Sequence, residues 1–137
     1  MVLEAIESIK RQHYSDLEII VVGEGSTDNT RAESKTIIPE IRQVQLGGVG
    51  PGPARNAGVD ASRGGILMFL DSDDIWLENH IPQLTDTISR GFQVAYGTTK
   101  TMDEIGGEDF LIPDINDGIE GDCFEPLLRW CFLVPSS

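Results

Sequence analysis

Three aspartates, Asp71, Asp73 and Asp74, lie within four residues directly after the most apolar run of the chain, residues 66–70. Ligands of parallel α/β sheets bind beyond the carboxyl ends of the strands, so this cluster is the first candidate for a site. Carboxylates this close repel one another at neutral pH, and a hard divalent cation is the usual way to keep them ionised. The cluster therefore predicts Mg²⁺ or Mn²⁺. Because Mg²⁺ commonly binds through one or two carboxylates together with substrate phosphates, it also predicts a phosphate-bearing ligand such as a nucleotide.

Other polar residues have both a functional and a simpler explanation. The aspartate cluster could also cap the following helix, since the helix dipole favours Asp at a helix start. Glu24 follows another apolar run and is either a ligand-contacting acid or a solvated turn residue. Arg55 and Asn56, at the start of a predicted helix, are candidate anion or ribose contacts. The preceding glycine-rich stretch, residues 47–53, fails the GxGxxG pattern at its last position and lacks the GK[ST] of a P-loop.

Hydrophobic patterning places these residues on an α/β framework with a mostly parallel sheet flanked by helices. Short apolar runs predict strands at residues 19–22, 41–46, 66–70 and 92–96. Helical periodicity and capping residues predict helices at residues 2–12, 31–37, 54–62, 81–91 and 124–130. Two stretches are predicted to lack regular structure, namely the glycine- and proline-rich residues 47–53 and the polar residues 102–121.

Composition narrows the class of protein. The chain has 137 residues, the size of one domain, and a net charge of −13, which makes binding to nucleic acid or to an anionic membrane surface unfavourable. It contains neither an apolar run long enough to span a membrane nor a secretory signal pattern, so we expect a cytoplasmic segment. Cys123 and Cys131 form neither a CxxC pair nor a zinc motif and are expected to be reduced thiols.

Charge divides the chain into two regions. Residues 101–137 contain nine acids and a single base, Arg129. We expect residues 1–100 to form the ligand-binding region and residues 101–137 to begin a separate region on the side of a second substrate.

Several motifs, in the same order along the chain, resemble family 2 glycosyltransferases, which have the GT-A fold. The likeness begins with a first helix at residues 3–12. Residues 18–30 are similar to the family signature EIIVVDDGSTDNT, residues 52–58 match G-x-A-R-N-x-G, and residues 69–76 match the segment with the DxD motif. One such match would be only suggestive, but the ordered set is specific to the family.

The resemblance implies a nucleotide-sugar donor, usually a UDP-sugar, and inversion at the anomeric carbon. By this resemblance Asp73 would ligate Mn²⁺ or Mg²⁺, with Asp71 as a second candidate ligand. Asp71 and Ser72 would lie near the ribose, and Arg55 would help to hold the nucleotide. The acid that contacts the base falls on Glu24, where the family usually has Asp.

The resemblance also has departures. Gly23 replaces the Asp that precedes the base-contacting acid. The family opens with a strand and loop of the type VSVIIPxYN, which we expect to precede residue 1. Its general base lies in a later segment, which we expect beyond Ser137. A missing central strand would leave a gap or unpaired sheet edges, which another copy of the chain, a rearrangement of the strands or self-association would relieve. We therefore expect donor-type architecture with weak or no turnover by this chain.

Two other functions stay open from the sequence. A phosphatase of the haloacid dehalogenase type would use Asp71 as nucleophile and Asp73 as general acid, although Ile75 occupies its Thr/Val position. A non-catalytic module would bind a nucleotide or a partner protein without transfer. For the transferase, the acceptor could be a glycan, a lipid carrier or a protein.

Overall fold

The structure, a computed structural model, describes residues 1–23, 41–102, 109–113, 119–129 and 134–136. The described part is a mixed α/β fold. Its helices are α1 Val2–Lys10, α2 Pro51–Ala61, α3 His80–Ser89 and α4 Phe124–Arg129. Its strands are β1 Ile20–Gly23, β2 Arg42–Gln45, β3 Thr99–Thr101 and β4 Phe110–Ile112. The predicted helix at residues 31–37 lies outside the described residues.

Strands β1 and β2 form a parallel pair, with Ile20 opposite Arg42 and Gly23 opposite Gln45. The short β-branched run that predicted β1 therefore does form a strand of parallel type. Helix α2 packs on this pair, and a Cβ added at Gly58 would lie 3.4 Å from Cγ2 of Val22. That distance is an ordinary van der Waals contact, so α2 lies directly against β1 at this position.

The buried centre of the described fold joins α1, α3 and the segment between α2 and α3. Ile6 and Ile81 are each only 1% exposed. The Gln12 side-chain amide donates to the carbonyl oxygens of Ser8 and Leu77, at 3.2 and 2.8 Å, and its Oε1 accepts the Ile81 N–H at 3.3 Å. This buried glutamine satisfies backbone groups from three parts of the chain, so it fixes how α1 sits against α3.

The prediction of a strand at residues 66–70 is wrong for the described structure, because this segment has no hydrogen-bonded strand neighbour. Ile66 and Leu67 are 44% and 45% exposed. Together with β1, the segment lines a cavity of about 1110 Å³ that also borders α1 and α2. Apolarity marked this run as a core segment, but a strand also requires a partner for its backbone groups.

Three other predictions are corrected. Residues 51–53 form the first turn of α2, where proline is tolerated because the first backbone N–H groups of a helix have no intrahelical partner. Residues 92–96 form no strand. Instead β3 pairs with β4 in antiparallel fashion, so residues 110–112 of the predicted loop are a strand. The described sheets are thus one parallel and one antiparallel pair, rather than a single, mostly parallel sheet.

The remaining boundaries agree with the predictions to within about two residues for α1, α3, β1 and β2. Helix α4 covers residues 124–129 of the predicted 124–130, and residue 130 lies outside the described part. None of the helices in the described ranges combines the length and apolarity needed to cross a bilayer.

Candidate functional site

The acidic turn, residues 71–74, follows directly on the apolar segment 66–70. The Asp74 N–H donates to the Asp71 carbonyl oxygen at 3.1 Å, which closes the turn. Ser72 and Asp73 occupy its tip and are exposed to solvent. No ion pair with another described residue engages Asp73 or Asp74. The carboxylate predicted to ligate a metal therefore lies at an open position where a ligand can reach it.

Arg55 connects this turn to α2. Its Nη2 lies 2.9 Å from Oδ1 and 3.0 Å from Oδ2 of Asp71, so a single nitrogen contacts both carboxylate oxygens. Both side chains are about one-third to two-fifths exposed, at 32% for Arg55 and 42% for Asp71. Arg55 Nε is buried and has no hydrogen-bond partner among the described residues. The guanidinium thus has donor capacity beyond the ion pair, which an anionic ligand could use.

Ser136 accepts hydrogen bonds from residues on both sides of the acidic turn. Its Oγ accepts the Asp71 N–H at 2.9 Å, and its carbonyl oxygen accepts Trp76 Nε1–H at 2.7 Å. Sequence reasoning missed Ser136, because no local pattern signals a contact between residues 65 positions apart.

Trp76 and His80 connect the segment after the acidic turn to α1 and α3. The Trp76 backbone N–H donates to Ser8 Oγ at 3.0 Å, and Ser8 Oγ donates to the Ala5 carbonyl oxygen at 2.7 Å. The Trp76 and His80 rings stack with centroids 4.9 Å apart. Burial lowers the pKa of His80, because the charged imidazolium loses solvation there.

The other predicted site residues are not gathered at the acidic turn by any described contact. Asn56 follows Arg55 on α2 and is exposed. Glu24 lies outside the described residues. Gly23 ends β1, and a Cβ placed on it would lie 2.7 Å from Nε2 of Gln45, the flexible end of that side chain. The side chain of Gln45 thus occupies the space that a larger residue at position 23 would take.

The position of the general base stays a prediction. Sequence reasoning places it beyond Ser137, and Ser137 itself lies outside the described residues, the last of which is Ser136. The contacts of the described residues therefore do not test the predicted position of the general base. The arrangement of Arg55, Asp71 and Asp73 is a candidate ligand-binding site.

The carboxylates of the acidic turn suit a cation that the protein and a bound ligand coordinate together. Within the described ranges, no three His, Cys, Asp or Glu side chains are grouped so as to hold a metal ion. Mg²⁺ and Mn²⁺ sites of the nucleotide-bound kind need only one or two carboxylates, since phosphate oxygens and water complete the coordination. Asp73 with Asp71 fits that requirement, whereas a site made only of protein side chains does not. Cys123 is a free thiol.

Comparison with known proteins identifies the family of the chain. The model of the family described as Glycosyl transferase family 2 matches residues 1–124. An uncharacterized glycosyltransferase of Nostoc sp. is 30% identical over 93% of this chain and 42% of its own length. The glycosyltransferase GlyG of Streptococcus pneumoniae is 29% identical over 82% of this chain and 42% of its own length. A Campylobacter jejuni protein, named as a GalNAc(5)-diNAcBac-PP-undecaprenol beta-1,3-glucosyltransferase, is 30% identical over 69% of this chain and 32% of its own length.

An acidic turn at the end of an apolar segment, tied to an arginine on the adjacent helix, is thus found in a chain whose relatives are sugar transferases. The chain belongs to glycosyltransferase family 2, which implies the GT-A fold. It spans between 19% and 42% of the length of the first relatives it matches.

Proposed function

We propose that this chain forms the donor-binding part of a metal-dependent, inverting glycosyltransferase that takes its sugar from a nucleotide diphosphate sugar, most simply a UDP-sugar. The observation that carries this proposal is the acidic turn. Asp71 is held by Arg55, while Asp73 is exposed at the tip and unpaired among the described residues. Family membership supports the reaction class, and the exposed carboxylate of the turn supports binding of a cation together with a diphosphate.

The two aspartates have different parts in this proposal. Arg55 already neutralises Asp71, so Asp71 is suited to a hydrogen-bonding role near the ribose, beside Ser72. Asp73 has no such partner in the described structure and is suited to be the main metal ligand, with Asp71 as a second ligand when the ion pair opens. A bound Mn²⁺ or Mg²⁺ would stabilise the negative charge that develops on the departing nucleoside diphosphate.

Arg55 would orient the nucleotide. Its contact with Asp71 uses Nη2 and leaves Nε as a buried donor without a partner in the described part of the chain. A buried donor without a partner is costly, and a rearrangement of the Arg55 side chain that lets a ligand oxygen reach Nε would recover that cost. We propose Asn56 as a further nucleotide contact and Glu24 as the residue that contacts the base.

The acceptor and the general base belong to the whole enzyme. We propose that the general base lies beyond Ser137, so this chain binds the donor but turns over weakly or not at all. The Campylobacter relative is named for glucosyl transfer to an undecaprenol-linked glycan, which makes a lipid-carried glycan the first acceptor to test. The open cavity beside β1 also favours self-association of the isolated chain.

A thermal-melt panel tests the donor site. The 137-residue chain is melted with UDP, GDP or ADP, each with Mn²⁺ and each with a chelator. Ligands that bind only the native state raise the free energy of unfolding, by about 2.7 kcal/mol at a concentration near a hundred times Kd. We expect UDP to raise Tm only when Mn²⁺ is present. A panel in which no nucleotide raises Tm with Mn²⁺ would contradict the proposed function.

A further inference from the structure

We propose that Ser136 is a positioning residue for the donor site, one that holds the acidic turn in its ligand-binding shape. This inference rests on the proposed function, because it concerns the same aspartates. Ser136 itself is not placed against the nucleotide or the metal; it acts through the backbone of Asp71 and the side chain of Trp76.

The geometry singles out Ser136 because one residue accepts hydrogen bonds from both sides of the turn. Its Oγ accepts the backbone N–H of Asp71, the first residue of the turn, at 2.9 Å. Its carbonyl oxygen accepts the indole N–H of Trp76, two residues beyond the turn, at 2.7 Å. Ser136 is only 5% exposed, so water competes weakly for these contacts. Asp73 lies between the two attachment points.

Each attachment point is itself held elsewhere. The carboxylate of Asp71 is fixed from α2 by Arg55, and the backbone N–H of Trp76 is fixed from α1 by Ser8. Ser136 therefore connects two anchored residues and restricts the path of the chain between them. Without its hydroxyl, the Asp71 N–H would lose its partner, and the turn could shift relative to Arg55.

This restriction matters because a metal ligand must be presented in a narrow geometry. Groups that orient the ligands of a metal are typically worth a factor of about 10 to 100 in metal affinity or activity. The exposed Asp73 has no described partner of its own that would set its direction. Its position depends on the backbone of the turn, and Ser136 is a buried residue from a distant part of the sequence that holds this backbone in place.

The test compares Ser136→Ala with Ser136→Thr and with Ser62→Ala in the same 137-residue chain. Alanine removes the hydroxyl but keeps the carbonyl contact with Trp76, while threonine restores a hydroxyl. Ser62 is the matched control, because its Oγ bonds only locally, to the Val59 carbonyl oxygen at 2.7 Å. Two quantities are measured: hydrogen exchange at the Asp71 amide, and the affinity of UDP in the presence of Mn²⁺.

We expect Ser136→Ala to speed exchange at the Asp71 amide selectively and to weaken Mn²⁺-dependent UDP binding by about tenfold. Exchange at the Val22 amide in β1 should stay unchanged, Ser136→Thr should restore both quantities, and Ser62→Ala should change neither. Faster exchange throughout the chain would show a general structural role and overturn the proposal. So would UDP affinity in Ser136→Ala equal to that of the wild type.

Failure of the proposed function looks different. In that case the wild-type chain itself would not bind UDP with Mn²⁺, and the positioning role would fall with it. Faster hydrogen exchange at the Asp71 amide alone in Ser136→Ala would then still confirm the hydrogen bond, but this bond would not support a donor-binding site. If Ser136→Ala left hydrogen exchange at the Asp71 amide unchanged, the hydrogen bond on which the inference depends would be disproved, whatever the wild type binds.

Discussion

Arg55 and Asp71, 16 residues apart, are joined through a single guanidinium nitrogen that lies 2.9 and 3.0 Å from the two carboxylate oxygens. This contact links the first turns of α2 to the acidic turn. It differs from the two-nitrogen fork that arginine often makes with a carboxylate, and it leaves Nε without a partner in the described structure. The same arginine therefore holds the turn and retains a donor that an anionic ligand could use once the side chain rearranges to expose it.

Arg55→Lys should weaken Mn²⁺-dependent UDP binding by about tenfold or more. Lysine keeps the positive charge but loses the planar donor group, and hydrogen bonds to charged groups are worth about 1.5–3 kcal/mol. Titration calorimetry measures the change, with Arg90→Lys as the control, because Arg90 pairs with Asp86 on the exposed surface of α3. Equal affinities of Arg55→Lys and wild type would show that Arg55 does not contact the ligand.

Ser8→Ala should lower the free energy of unfolding by about 1–3 kcal/mol, because it leaves the Trp76 backbone N–H buried without its acceptor. Urea denaturation measures this loss. Ser89→Ala is the matched control, since Ser89 is exposed and its hydroxyl bonds only to the Asp86 carbonyl oxygen in the same helix. If the two variants lose the same free energy, the contact between α1 and Trp76 does not stabilise the fold.

Acid should destabilise the protein through His80. Burial holds the pKa of His80 below its ordinary value of 6.5, so the unfolded state binds more protons than the folded state between that value and the lowered pKa of the folded state. The free energy of unfolding should therefore fall as the pH drops through 6.5 toward the lowered pKa. Glu18, which accepts hydrogen bonds from Arg42 and from the Arg63 N–H, has its pKa lowered from 4.5 and titrates below this window.

The variant His80→Phe keeps an aromatic ring beside Trp76 and removes the titrating group. Its free energy of unfolding should change less than that of the wild type as the pH falls from about 7 through 6.5. His13→Asn is the control, because His13 is exposed and asparagine tolerates its positive φ of 50°. Denaturant melts across this range measure the slopes, and equal slopes for His80→Phe and wild type would mean that His80 does not titrate there.

Much of the local structure was predictable from spacing alone. The spacing of Ile6 and Ile9 predicted α1, and that of Ile81, Leu84 and Ile88 predicted α3, because one face of each helix must be buried. That residues 66–70 form no strand could not be predicted in this way. A run of apolar residues indicates that a segment tends to be buried, but it does not reveal whether another strand lies alongside to pair with it.

The candidate site could also be predicted only in part, because sequence motifs reveal groups of neighbouring residues but not the contacts between distant segments. The acidic turn and Arg55 could be found because each lies in a dense local motif. Their direct contact could not be derived from spacing, and the contact of Ser136 with Asp71 joins distant segments through one hydroxyl that carries no pattern. Local residues predict elements and candidate ligands, whereas the groups that position those ligands come from tertiary structure.

The most direct test of a metal-bridged donor site is titration calorimetry of UDP, with and without Mn²⁺, on wild type, Asp73→Ala and Asp60→Ala. Asp60 is the matched control, because it is an exposed carboxylate on α2 with no described partner. The account predicts that wild type and Asp60→Ala bind UDP only with Mn²⁺, and that Asp73→Ala loses more than about tenfold in affinity. Binding that is independent of Mn²⁺, or that is equal in Asp73→Ala and wild type, would contradict it.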